Sequence, residues 1–156
     1  MLGMRINEAK SMFFDRRAVK GMMDKISRRA LSRIGSYVRT VMRNRLKKRG
    51  SNYWDSSQPG KPPKRHSGHL HDWTFFAYDN VAQNVVIGPA DLRDRRGDNV
   101  PEILERGGYT TITAGRNRGQ KKYVAPRPFA GPSLDDAEPK FADFWQDAYA
   151  GKTYTR

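Results

Sequence analysis

The sequence predicts an α+β fold: a long N-terminal amphipathic helix and a C-terminal helix packed on an antiparallel sheet of two β-hairpins. Three observations predict it. Apolar residues recur at three- and four-residue steps over 19–48, the period changes to two from Leu70 onward, and helical spacing returns over 141–149. The resulting order is long helix, hairpin, short helix, hairpin, helix. Its apolar faces are buried most economically with the two helices on one face of the sheet. At 156 residues one domain, 1–156, is the expectation, with no internal repeat. Its parts are an N-terminal helical region (1–50), a loop (51–68), a sheet with a short helix (69–125), a Pro-rich lead-in with the last helix (126–150) and a tail (151–156).

The long helix rests on Val19, Met22, Met23, Ile26, Ala30, Ile34, Tyr37, Val38 and Val41, which form one apolar stripe at about 100° per residue. Lys25, Arg28, Arg29, Arg39, Arg43 and Lys47 gather on the opposite side. No proline interrupts the run; Gly21 and Gly35 weaken it by roughly 1 kcal/mol each relative to alanine. Ser11 is placed to cap a first turn, with Met12, Phe13 and Phe14 as an apolar plug. The helix is expected to end near Lys48 or Arg49, with Gly50 at the C′ position. Asp24 is the only acid between Val19 and Lys48, so almost no ion pairs neutralise the cations. A basic face for nucleic acid or an acidic protein is therefore the reading, against a merely solvated one.

Residues 51–68 contain three prolines and two glycines around Tyr53 and Trp54, which marks a loop. It is long for a simple connection, and such loops serve a function or order on a partner. Tyr53, Trp54, Lys61, Lys64 and Arg65 are candidates for docking to another subunit or to nucleic acid. Trp73, Phe75 and Ala77 then alternate with Thr74, Phe76 and Tyr78 ahead of a Val-Val-Ile run, which reads as the first hairpin. Asn99 and Pro101 open a short helix closed by Gly107 and Gly108. The second hairpin, 109–113 with 121–125, carries a long basic tip with Arg116 and Arg118, also docking candidates. At the end, Pro132 suits a first helical turn, Pro139 kinks or restarts the helix, and Phe141, Phe144, Trp145, Ala148 and Tyr149 form its apolar side. Asp135, Asp136 and Glu138 are expected at the start of that helix, opposite its positive dipole end.

Thirty Lys and Arg against sixteen Asp and Glu give a net charge of +14. A field of that sign attracts nucleic acid, acidic lipid head groups or an acidic protein surface, and says nothing about fold. With no cysteine, disulfides, thiolate metal sites and cysteine nucleophiles are excluded. No run has the length of a signal peptide or a membrane span, so the expectation is a soluble protein that stays in the cell that makes it. One cluster has the residue types of a catalytic site: His66, His69, His71 and Asp72. On a strand His69 and His71 would share a face, and a metal-dependent nuclease would suit a basic protein. Against this, the spacing matches no metal signature, and Lys64 and Arg65 would repel a cation. No Ser/His/Asp set and no P-loop ending are present. The sequence does not look like an enzyme, and it implies no cofactor and no metal.

Three short motifs, in order, resemble the head–tail connector and tail-completion (neck) proteins of long-tailed bacteriophages. They are PKRHSGHL at 63–70, VPEILERGG at 100–108 and APRPFAGPSL at 125–134, following a basic N-terminal helix. The structural positions they carry are Gly68, Leu70, Glu105, Gly107, Pro126, Pro128, Phe129 and Pro132. Ser67 stands where the family usually has Thr, and the loops at 89–99 and 116–121 are longer. The resemblance implies a structural subunit that closes into a ring, usually a hexamer, between the DNA-filled head and the tail. It implies as partners other copies of the chain, a neighbouring connector, adaptor or stopper ring, a tail terminator or tail tube protein, and packaged double-stranded DNA in the lumen. The location implied is the virion neck, assembled in the host cytoplasm, without a membrane. No catalytic residues are implied. The alternative left by the residues alone is a monomeric nonspecific nucleic-acid-binding protein, and after it the metal nuclease.

Overall fold

The computed structural model describes residues 16–52, 55–94, 97–113 and 115–151. The capping and plug positions Ser11 to Phe14, and Tyr53 and Trp54, lie outside the described residues. Helix α1 (Arg16–Arg45) is the axis on which the rest is laid, thirty residues long and so about 45 Å. One helical turn, α2 (His69–Asp72), leads into β1 (Thr74–Asp79), which pairs antiparallel with β2 (Asn84–Pro89). Then come α3 (Val100–Arg106), and β3 (Gly108–Thr111) paired with β4 (Lys121–Val124). The chain ends in α4 (Ala130–Ala137), a 3₁₀ turn (Glu138–Lys140) and α5 (Phe141–Tyr149). The fold class is the α+β expected. The two hairpins, however, stay separate two-stranded sheets rather than joining edge to edge.

Only part of α1 is covered. Ala30, Ile34, Val38 and Met42 are buried, whereas Val19, Met22 and Met23, three members of the expected stripe, are exposed. The first hairpin lies along the helix, with Arg39 Nε donating to Thr74 O at 2.9 Å and Gln83 Nε2 to Asp24 Oδ1 at 2.7 Å. Gly35 makes this possible. A Cβ there would come within 2.7 Å of both Phe76 Cδ2 and Val85 Cγ2, so the residue that weakens the helix in isolation is the seat of the hairpin. The helix ends at Arg45, before the expected Lys48. Leu46 turns into the core, and the next backbone groups bond to the following loop: Arg65 N to Lys48 O at 2.8 Å and Gly50 N to Arg65 O at 3.3 Å.

The core has two adjoining parts. Ile34 and Val38 of α1 meet Ala137 of α4, with Tyr37, Ile87, Phe141 and Phe144 around them. Met42, Leu46 and Phe129 form the other, closed by Leu70, Ile87 and Leu104. Pro139 restarts the helix as expected, through the 3₁₀ turn. Within α5, Phe141, Phe144 and Ala148 turn inward, while Trp145 and Tyr149 stay on the outer edge. Asp135 and Asp136 are not at a helix start but in the second half of α4, where no dipole benefit exists; Asp136 instead pairs with Arg45.

Candidate functional site

The residues of the three motifs, far apart in sequence, meet beside the C-terminal end of α1. Phe129 is fully buried against Met42 and Leu46, with Leu70 and Leu104 completing the contact. Glu105 reaches from α3 to the start of α4. Its Oε2 accepts from Phe129 N at 2.8 Å and Ala130 N at 3.0 Å, and its Oε1 from Gly131 N at 2.8 Å. These are donors a helix start leaves without intrahelical partners, and a carboxylate there also meets the positive dipole end. Pro132, next in line, has no N–H to satisfy. Gly107 has a φ of 77°, and a Cβ on it would meet Pro126 Cδ and Tyr123 Oη at 3.0 Å, so both conformation and space call for glycine.

Arg127 ties this knot to the 51–68 loop. Its backbone N–H donates to Leu104 O at 2.6 Å, its Nε to Ser57 O at 3.0 Å and its Nη1 to Ala125 O at 3.2 Å. Gly60 N adds a bond to Pro126 O at 2.8 Å. The loop is thus stitched to the body at several places, which its composition did not suggest. Arg127 is not among the candidates read from the sequence; an arginine between two prolines of an otherwise apolar run is the signal that could have found it.

The predicted basic face divides in two. Lys25, Arg28 and Arg29 are exposed, as is Lys47, which lies beyond the helix end. Arg39 and Arg43 belong to the fold instead. Arg39 holds Thr74, and Arg43 Nε donates to His71 O at 3.0 Å with its Nη2 at 3.8 Å from Asp72 Oδ1. Of the loop candidates, Lys61, Arg116 and Arg118 are exposed, while Lys64 and Arg65 are engaged internally. Lys64 pairs with Asp55, which also accepts from Ser51 N at 2.7 Å and Ser51 Oγ at 2.9 Å. Lys64 first, then the serine, hold the Asp55 carboxyl well below the usual range. Arg65 Nη2 donates to both oxygens of Asp72, at 2.9 and 3.2 Å. The Asp72 carboxyl is also lowered, chiefly by the 2.6 Å hydrogen bond from His71 Nδ1 and then by the Arg65 charge.

The histidine cluster does not converge. His69 and His71 sit on the helical turn α2, not on a strand, so successive positions diverge around the turn. His69 stacks on Trp73, with ring centroids 5.2 Å apart, and His71 is bound to Asp72. Among the described residues, no three His, Cys, Asp or Glu side chains are placed to hold a metal ion. A recess of about 250 Å³ opens nearby, floored by Leu46, Leu70 and Leu104, with Lys64, Arg65 and Arg127 at its rim. Those three cations are held by the partners just named, so the recess is apolar in character.

Several large apolar side chains are exposed. Phe75 and Val86 share one exposed face of the first hairpin, Trp73 is exposed at the turn just before β1, and Leu134, Trp145 and Tyr149 follow the outer edge of α4 and α5. Tyr109 and Tyr123 stand out from the second hairpin. Among the described residues no helix is long and apolar enough to cross a membrane. The chain matches no family model, no curated protein and no solved structure.

Proposed function

We propose that this chain is a non-catalytic, structural ring subunit of a bacteriophage neck, joining the DNA-filled head to the tail around the DNA channel. The observation that carries the reading is the meeting of the three family-like motifs in one knot. Leu70, Glu105, Gly107 and Phe129 are spent on packing, helix capping and a tight turn, which is what motifs of a scaffold do. The exposed Trp73, Phe75, Val86, Leu134, Trp145 and Tyr149 support assembly, since large apolar side chains left in water favour being covered by a neighbour. The partners proposed are further copies of the chain, the adjoining connector, adaptor or stopper ring, and a tail terminator or tail tube protein, with duplex DNA in the lumen.

A monomeric nucleic-acid-binding protein is the second reading, favoured by the exposed Lys25, Arg28 and Arg29. Mass separates the two. Light scattering on the purified chain across a concentration series, followed by electron microscopy of the heaviest fraction, is expected to give closed rings. A chain that stays monomeric at every concentration, and is absent from the necks of assembled particles, overturns the ring.

A further inference from the structure

The chain's cations are unevenly employed. Arg39, Arg43, Arg45, Lys64, Arg65 and Arg127 all hold carbonyls or carboxylates of the fold. On the second hairpin, the side chains of Arg116, Arg118, Lys121 and Lys122 are exposed and make no hydrogen bond or ion pair among the described residues. From Gly107 to Leu134 the chain carries five cations and no acid at all. Nothing on this arm neutralises the field it presents.

The same hairpin puts aromatic rings in the open. Tyr109 is directly opposite Tyr123, their ring centroids 5.3 Å apart at 62°, and they are 69% and 54% exposed. Thr111 opposite Lys121 continues that face, because residues two apart in a strand point the same way. Lys122 opposite Thr110 lies on the reverse, where Thr110 Oγ1 donates to Asp98 Oδ2 at 3.2 Å. The ladder extends towards the tip through Ile112 N to Gln120 O at 3.0 Å and Gly119 N to Ile112 O at 2.9 Å, carrying Arg116 and Arg118 outward. The face that carries the two tyrosines therefore continues to Lys121, and the turn beyond it carries Arg116 and Arg118.

We propose that this hairpin binds single-stranded nucleic acid, with Tyr109 and Tyr123 stacking on bases and Lys121, Arg116 and Arg118 meeting phosphates. A duplex hides the faces of its bases and offers only their edges in the grooves, whereas a single strand presents face and phosphate together. An acidic protein surface would use the cations and leave the rings without a matching partner. The contact is sequence-tolerant, since every base has a π face. This stands independently of the neck reading, because the free chain alone is enough to show it.

The experiment measures fluorescence anisotropy of a labelled oligothymidylate and of a duplex of equal length, with the full chain across a salt series. The single strand is expected to bind more tightly. Tyr109→Leu with Tyr123→Leu keeps apolar bulk but removes the rings, and is expected to weaken binding about tenfold or more, while Tyr→Phe at both positions restores it. Arg116→Gln, Arg118→Gln and Lys121→Gln together should lower the log–log salt slope by about 2. Lys25→Gln, Arg28→Gln and Arg29→Gln together should weaken single-strand binding less than the hairpin variant does. Tighter binding to duplex, a Leu variant as strong as the parent, or loss only in the helix variant each overturns the proposal. So does poly-glutamate competing as well as the oligonucleotide, which would mark a general site for acidic protein. None of these outcomes touches the ring reading, which the mass measurement decides.

Discussion

Two residues hold the motif knot, and each makes a separate demand. Phe129 is 1% exposed, so Phe129→Ala removes a large ring from a closed core and is expected to cost about 3–5 kcal/mol. Thermal unfolding checks it; an unchanged melting temperature would mean the ring is not packed as described. Glu105 acts without being buried deeply, through three backbone donors. Glu105→Ala leaves those donors to water and is expected to cost at least about 2 kcal/mol, as loss of a charged cap does. Acid stability should follow Asp55 and Asp72. Both carboxyls have folded values below their ordinary 3.8, so their contribution is present above that pH and is lost as pH falls through the folded values. Melting temperature should therefore drop below about pH 4, and Asp55→Asn with Asp72→Asn should flatten that limb while lowering stability at neutral pH. A double variant with an unaltered acid limb would assign the loss to other carboxyls.

At the level of elements, α1 explains both what the sequence made legible and what it hid. Its period, the hairpin alternation, the Asn99 cap and the restart at Pro139 were all readable, because they depend on neighbours close in the chain. Hidden were the features set by long-range contact. Arg39 and Arg43 look identical to Arg28 and Arg29 on a helical wheel, yet only the first pair reaches carbonyls, those of Thr74 and His71. Which cations are free depends on where the hairpin lies, and no local pattern states that. Val19, Met22 and Met23 fit the stripe equally well and remain exposed because, among the described residues, no other element extends over them. Replacing Arg28 and Arg29 by Gln should leave the melting temperature unchanged, whereas Arg39→Gln with Arg43→Gln should lower it measurably. Equal behaviour of the two pairs would show that the pins contribute nothing. Gly35 gives a second test of the same packing. Gly35→Ala raises helix propensity by about 1 kcal/mol but drives a Cβ into Phe76 and Val85, an overpacking worth roughly 1–3 kcal/mol. A net loss of stability is expected, and a net gain would mean the hairpin is not seated against the helix.

For the whole molecule, charge and apolar surface pull in opposite directions. A subunit of net charge +14 repels its own copies, while Trp73, Phe75 and Val86 favour covering one another with a neighbour. Salt separates the two forces. At 0.1 M the screening length is about 10 Å, and it shortens as salt rises, so repulsion fades while apolar burial does not. Under the ring reading, self-association should therefore strengthen with salt, opposite to any nucleic-acid contact, which weakens through counterion release. Sedimentation velocity across a salt series reads the first effect directly. Trp73→Ser with Phe75→Ser removes apolar surface that is already exposed, at 48% and 53%, and should leave the melting temperature of the free subunit close to that of the unaltered chain. The same variant should shift the distribution towards monomer at every salt concentration. Association that falls with salt would place the contacts between subunits in charged residues, and a variant that assembles unchanged would move the interface from this hairpin to the outer edge of α4 and α5.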